Sequence, residues 1–107
     1  MKEKRALTDK IERENKMDKI KLKWHSDSGH AWLEVPLSAI PPKVLKNISQ
    51  FSYMNGNKAY LEEDCDAGLF LEAVGTEINS SEIEDVVYPL QSIIRTYQSF
   101  RIPRYIR

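Results

Sequence analysis

A single cysteine, Cys65, occurs among the 107 residues. No intramolecular disulfide can therefore staple this chain, and a reducing cytoplasm is the expected compartment. Long apolar runs are missing too. None approaches the ~18 residues that a membrane-spanning helix needs, and the amino terminus lacks the apolar core of a secretory signal, so no membrane association is expected. Phosphate-binding loops, nucleophile elbows, dinucleotide fingerprints and HExxH zinc motifs are absent, and no cofactor is implied. Repeats and low-complexity segments are absent as well. What remains is ordinary globular composition, 41% hydrophobic and 30% charged, with length for one domain of modest core.

Net charge is zero, but the charges are segregated. Residues 1–23 carry nine Lys/Arg against five Asp/Glu, residues 62–85 carry nine acids and no base, and residues 89–107 carry four arginines and no acid. Such a surface can steer a partner, or its oppositely charged segments can lie together and neutralise.

Residues 1–17 have little apolar surface and read as a charged, flexible tail or frayed helix. A single α+β domain is expected over 18–100, followed by a basic tail at 101–107. Lys19 to Trp24 alternates strictly, with Ile20, Leu22 and Trp24 on one face, which reads as a half-buried strand. Ser26-Asp27-Ser28-Gly29 is turn chemistry, and His30 to Val35 reads as the returning strand. That strand places Ala31, Leu33 and Val35 on one side and His30, Trp32 and Glu34 on the other. One helical turn is expected at Leu37–Ile40, then a short helix starting at Pro42 with Val44, Leu45 and Ile48 as its apolar stripe. Asn55-Gly56 between 51–54 and 58–62 predicts a second hairpin.

Ala67, Phe70, Leu71 and Val74 mark one face of a helix, with Asp64 or Asp66 as N-cap and Gly75 at its C-terminus. Ser81-Glu82-Ile83-Glu84 fits a capping box, predicting a short helix that ends at Pro89. Ser92 to Phe100, rich in β-formers, reads as a last strand or extended tail. The expected architecture is a small antiparallel sheet built from two hairpins, with one main helix packed on one face.

Two clusters carry the candidate chemistry. Tyr60-Leu61-Glu62-Glu63-Asp64-Cys65-Asp66 places four carboxylates between a strand and a helix. They can serve as oxygen ligands for a hard cation, as an acidic patch for a partner, or only as favourable charges at a helix start. The spacing is not that of a calcium loop, and no metal is assigned. In the second cluster, Trp24 to Trp32, His25 and His30 flank a turn and can face each other across the hairpin. A zinc site there would need Cys65 and one of the acids, and no known zinc spacing is met. Alternatively, Ser26, Asp27 and Ser28 bond the turn while His30 packs near Trp32. Cys65 reads as a buried structural cysteine rather than a nucleophile, because the neighbouring carboxylates disfavour its thiolate.

Trp24-His25-Ser26-Asp27 with Gly29-His30-Ala31-Trp32-Leu33-Glu34-Val35-Pro36, then Ser49 to Tyr53, then Tyr60 to Asp66, resembles a family of small uncharacterised proteins carried by phages and plasmids. The pairing of Gly-His with Glu-Glu-Asp-Cys-Asp is also similar to a domain of unknown function in plasmid-borne anti-restriction-type proteins. The resemblance covers about Trp24 to Tyr97. It implies a mobile-element setting, a role against host defence, location in the host cytoplasm, and a fold in which the Gly-His turn meets the acidic corner.

The function expected from these features is a non-enzymatic protein that binds a host protein, as an anti-defence inhibitor of anti-restriction or anti-CRISPR type. Its candidate binding residues are His30, Trp32, Glu62, Glu63, Asp64 and Asp66, with no catalytic residue assigned. The alternative is a metal-assisted hydrolase using His30 and the acidic corner. Nucleic-acid binding through the basic tail and the arginines at 95, 101, 104 and 107 is disfavoured by the acidic 62–85 segment.

Overall fold

The computed structural model describes residues 21–75 and 83–102. The expectations for 1–17 and for Ile20, and most of the 101–107 tail, lie outside the described residues. The fold is α+β. Strands β1 (Lys23–Ser26), β2 (Ala31–Pro36), β3 (Tyr53–Asn55), β4 (Lys58–Glu62), β5 (Glu84–Val87) and β6 (Gln98–Ser99) form one sheet in the order β5-β1-β2-β4-β3-β6. Every pairing is antiparallel except β1 with β5. Helices α1 (Pro42–Leu45) and α2 (Asp66–Val74) pack against each other, and α2 also touches β4.

The two expected hairpins are β1–β2 and β3–β4, but the sheet is wider than they are. β5 and β6 extend it at either edge, and α1 joins the main helix. In the second hairpin Asn55 pairs with Lys58, so Gly56 and Asn57 are the turn residues. Gly56 has φ 61 and no described non-glycine residue has positive φ. This is the glycine-first hairpin turn, shifted by one from an Asn-Gly turn.

Strand alternation divides the side chains between two layers. On one face Leu33, Val35, Ala59 and Leu61 meet Val44 and Leu45 of α1 and Ala67, Phe70 and Val74 of α2 in the main core, with Trp24 packed against it. On the other face Trp32 and Tyr60 pack with Ile94 in a smaller aromatic cluster, flanked by Tyr53 and Tyr97. The second layer is covered by the segment after β5, and it carries the polar chemistry.

Three local expectations are corrected. Residues 84–87 form a strand rather than a helix, because they pair with β1 from Lys23↔Glu84 to Ser26↔Val87. β4 and β5 both run parallel to β1, with β2 and β1 between them, so the connection through α2 is a crossover that delivers β5 to the open edge of β1. A paired partner strand outweighs a local capping signal. Residues 93–96 form a 3₁₀ turn, not a strand, with Ser92 Oγ accepting from the Ile94 N–H at 3.1 Å. That turn drives Ile94, 1% exposed, into the aromatic cluster. Finally, the α2 N-cap is Cys65, with no side-chain cap bond, instead of Asp64 or Asp66. Gly75 closes α2 in right-handed backbone geometry.

Candidate functional site

The β1–β2 turn is built around Asp27. Its Oδ1 accepts from the N–H groups of Gly29 (2.9 Å) and His30 (3.0 Å), and Asp27 N–H donates to the His30 carbonyl (2.9 Å). The same carboxylate reaches the 3₁₀ turn. Oδ2 accepts from Ser92 N–H (2.9 Å) and Arg95 Nε (2.7 Å), and Oδ1 accepts from Arg95 Nη2 (2.9 Å). The Asp27 side chain is 0% exposed. The Arg95 guanidinium, with the Ser92 N–H next, holds its carboxyl well below the usual carboxylate range. A Cβ on Gly29 would come within 3.0 Å of Arg95 Nη2, so the bare glycine lets the guanidinium lie against the turn. Arg95 then sits over Trp32, 5.4 Å from the ring centre.

The acidic corner is mostly committed to structure. Asp66, 1% exposed, accepts through Oδ2 from Ser49 N–H (3.1 Å), Ser49 Oγ (2.6 Å) and Ser52 Oγ (2.5 Å). Ser52 Oγ in turn accepts from Glu62 N–H at 2.9 Å. Glu62 Oε2 caps the following turn, taking the N–H groups of Asp64 and Cys65 at 3.0 Å each. Glu63 and Asp64 are exposed. Among the described residues no group of three or more His, Cys, Asp or Glu is placed to hold a metal ion.

Cys65 is exposed, correcting the expectation of a buried thiol. Partial desolvation, then the Glu62 and Asp66 carboxylates, push that thiol up, the direction that disfavours a thiolate nucleophile.

These turns converge on a cleft of about 330 Å³. The β1–β2 hairpin contributes His30 and Trp32, the loop before β3 contributes Gln50 and Phe51, and β3 contributes Tyr53. Glu62, Asp64 and Cys65 form the acidic side, and Arg95 the remaining wall. The Gly-His turn and the acidic corner therefore share one cavity. Of the six residues picked from sequence, His30, Trp32, Glu62 and Asp64 line it. Glu63 is on the surface beside it, and Asp66 faces the Ser49–Ser52 loop. His30 makes no ion pair with a described carboxylate; its ring packs 5.9 Å from that of Trp32.

Sequence reasoning missed Gln50, Phe51, Tyr53 and Arg95 as cleft residues. The acid-free segment around Arg95 is the one available signal, since an arginine with no acid nearby in sequence invites a distant carboxylate. The two histidines do not face each other. His25 stands opposite Trp32 in the strand register, whereas His30 lies in the turn. His25 is 8% exposed and bonded on both nitrogens, Nδ1 to Tyr88 Oη at 2.8 Å and Nε2 to Glu34 Oε1 at 2.9 Å. Beside it, burial and the Glu34 carboxylate push the Tyr60 phenol up. This node ties β1 to β2 and to the end of β5, and none of its three residues lines the cleft.

No described helix is long and apolar enough to cross a membrane. The chain matches no known family model, no curated protein and no solved structure.

Proposed function

We propose that this protein is a small non-enzymatic binding module that engages a host protein through the Trp32–Phe51–Glu62 cleft. The setting is the one its sequence resemblance implies: a phage or mobile element, with an anti-defence inhibitor of anti-restriction or anti-CRISPR type. One observation carries the reading. Phe51, on the cleft wall, is 66% exposed, beside Tyr53 and the ring of Trp32. An aromatic residue held in solvent next to a concave, partly charged surface is the usual anatomy of an interface anchor.

The hydrolase alternative draws no such support. One oxygen of Asp66, Oδ2, is taken up by Ser49 and Ser52, and one oxygen of Glu62 by two backbone N–H groups. Nucleic-acid binding through Arg95 is likewise weakened, because Asp27 already takes its charge.

The test is capture from host lysate by immobilised wild-type protein, compared with Phe51→Ala and with Lys46→Ala. Lys46 is exposed beside α1, on the opposite face of the sheet. A partner lost with Phe51→Ala and retained with Lys46→Ala supports the reading. Equal retention by both variants sinks it.

A further inference from the structure

We infer that the cleft is a receptor for an arginine side chain presented by the partner protein. This deepens the docking role proposed above and rests on it.

Arg95 is the cleft's only lysine or arginine among the described lining residues, and its charge is cancelled by a two-point pair with Asp27. Glu62 and Asp64 have no such counter-ion among the described residues, so the cavity is left net negative. It is complementary to a cation.

Glu62 is 9% exposed, and its Oε2 accepts two N–H bonds. The Cys65 thiol also lies in hydrogen-bonding reach of this carboxylate, and no described lysine or arginine pairs with it. A carboxylate whose resident donors are all neutral gains from a charged one, which forms a shorter and stronger bond.

The guanidinium of Arg95 lies over one aromatic ring, Trp32, and forks onto one carboxylate, Asp27. Across the same cavity, Phe51 and Tyr53 beside Glu62 and Asp64 repeat that combination of flat rings and carboxylates with no resident cation. Planarity and forked donors suit this set better than the point charge of lysine. A volume of about 330 Å³ admits a long side chain with the backbone at its root.

The test titrates N-acetyl-argininamide into the full-length, ¹⁵N-labelled protein at low salt. The neutral citrulline analogue, N-acetyl-lysinamide and N-acetyl-aspartamide serve as comparisons. The expected result is saturable shifts at Trp32, Tyr53 and Asp64 with the arginine compound, weaker shifts with lysine, and none with citrulline. Asp64→Asn removes an exposed carboxylate that bonds no described residue through its side chain, so the fold should persist. It should weaken the arginine response about fivefold, the size of one lost surface ion pair.

Equal responses to arginine and citrulline, a preference for the aspartate compound, or shifts confined to residues outside the cleft would each overturn the inference. Its failure is separable from failure of the docking reading. If Phe51→Ala loses the partner while N-acetyl-argininamide gives no specific response, only the arginine assignment falls. If the arginine compound binds the cleft but Phe51→Ala keeps the partner, the docking role falls, and with it the partner as the source of the arginine, while the cleft's preference for a guanidinium stands.

Discussion

Arg95 grips Asp27 at two points, Nε to Oδ2 at 2.7 Å and Nη2 to Oδ1 at 2.9 Å, across 68 residues of chain. This contact joins the first hairpin to the 3₁₀ turn that covers the aromatic layer. It also sets one wall of the cleft, because the same guanidinium lies over Trp32.

A depressed carboxyl pKa in the folded state gives this contact a definite pH signature. Ionised Asp27 is favoured by the fold, so its contribution is fully present above the ordinary aspartate pKa of about 3.9. The contribution is lost as pH falls from there through the lower folded value. Asp27→Asn should therefore unfold at a lower denaturant midpoint than wild type at pH 7, with the gap narrowing steadily below about pH 4. Arg95→Lys should also be destabilising at pH 7, since an ammonium can reproduce neither the fork nor the stacking. Urea midpoints of wild type and Asp27→Asn at several pH values check this. A gap that stays constant into acid would show that ionisation of Asp27 does not contribute.

Two phenylalanines should separate stability from binding. Phe70 is 1% exposed in the main core under α2, and Phe70→Ala should cost about 3–5 kcal/mol, as for a buried aromatic truncated to alanine. Phe51→Ala, at a 66% exposed position, should change stability by no more than about 0.5 kcal/mol. Chemical denaturation of the two variants side by side gives the comparison. A large loss with Phe51→Ala would mean that its ring packs into the structure and is not held out for a partner.

How much of this was legible in the sequence follows from how local each signal is. The first hairpin, the second hairpin, the Pro42 helix start and the apolar stripe of α2 all rest on residues a few positions apart, and all are found. So is the division of β2 into a Leu33 face and a Trp32 face, since alternation alone dictates it. Residues 84–87 carry a local capping pattern, while the partner strand that decides their structure, β1, is some sixty residues away, as the 63-residue gap between His25 and Tyr88 illustrates. The 3₁₀ turn is hidden for the same reason: Ser92 and Arg95 answer to Asp27, not to their neighbours. In the acidic corner, residue types alone did not distinguish the carboxylates. Asp66 points to two serines in a loop fourteen to seventeen residues upstream, and Asp64 points to solvent.

That serine pair offers the sharpest test of how the corner is held. Ser52 is 0% exposed and works in both directions, donating to Asp66 Oδ2 and accepting from the Glu62 N–H. Ser52→Ala leaves a buried carboxylate oxygen and a buried N–H each short of a partner, which should cost about 1–3 kcal/mol. Ser49→Ala should cost less, because Ser49 is only half-buried and its backbone N–H still reaches Asp66. Asp66→Asn replaces an acceptor-only group with one that carries its own N–H donors, so it too should be destabilising. The two changes should not add. Once Asp66 is gone, Ser52 has lost its main acceptor, and removing its hydroxyl costs less than it does in the wild type. A double-mutant cycle on Ser52→Ala and Asp66→Asn, read by urea unfolding, measures that coupling directly. A double variant as destabilised as the sum of the singles would mean that the two side chains act independently. The acidic corner would then owe its position to Glu62 and the turn it caps.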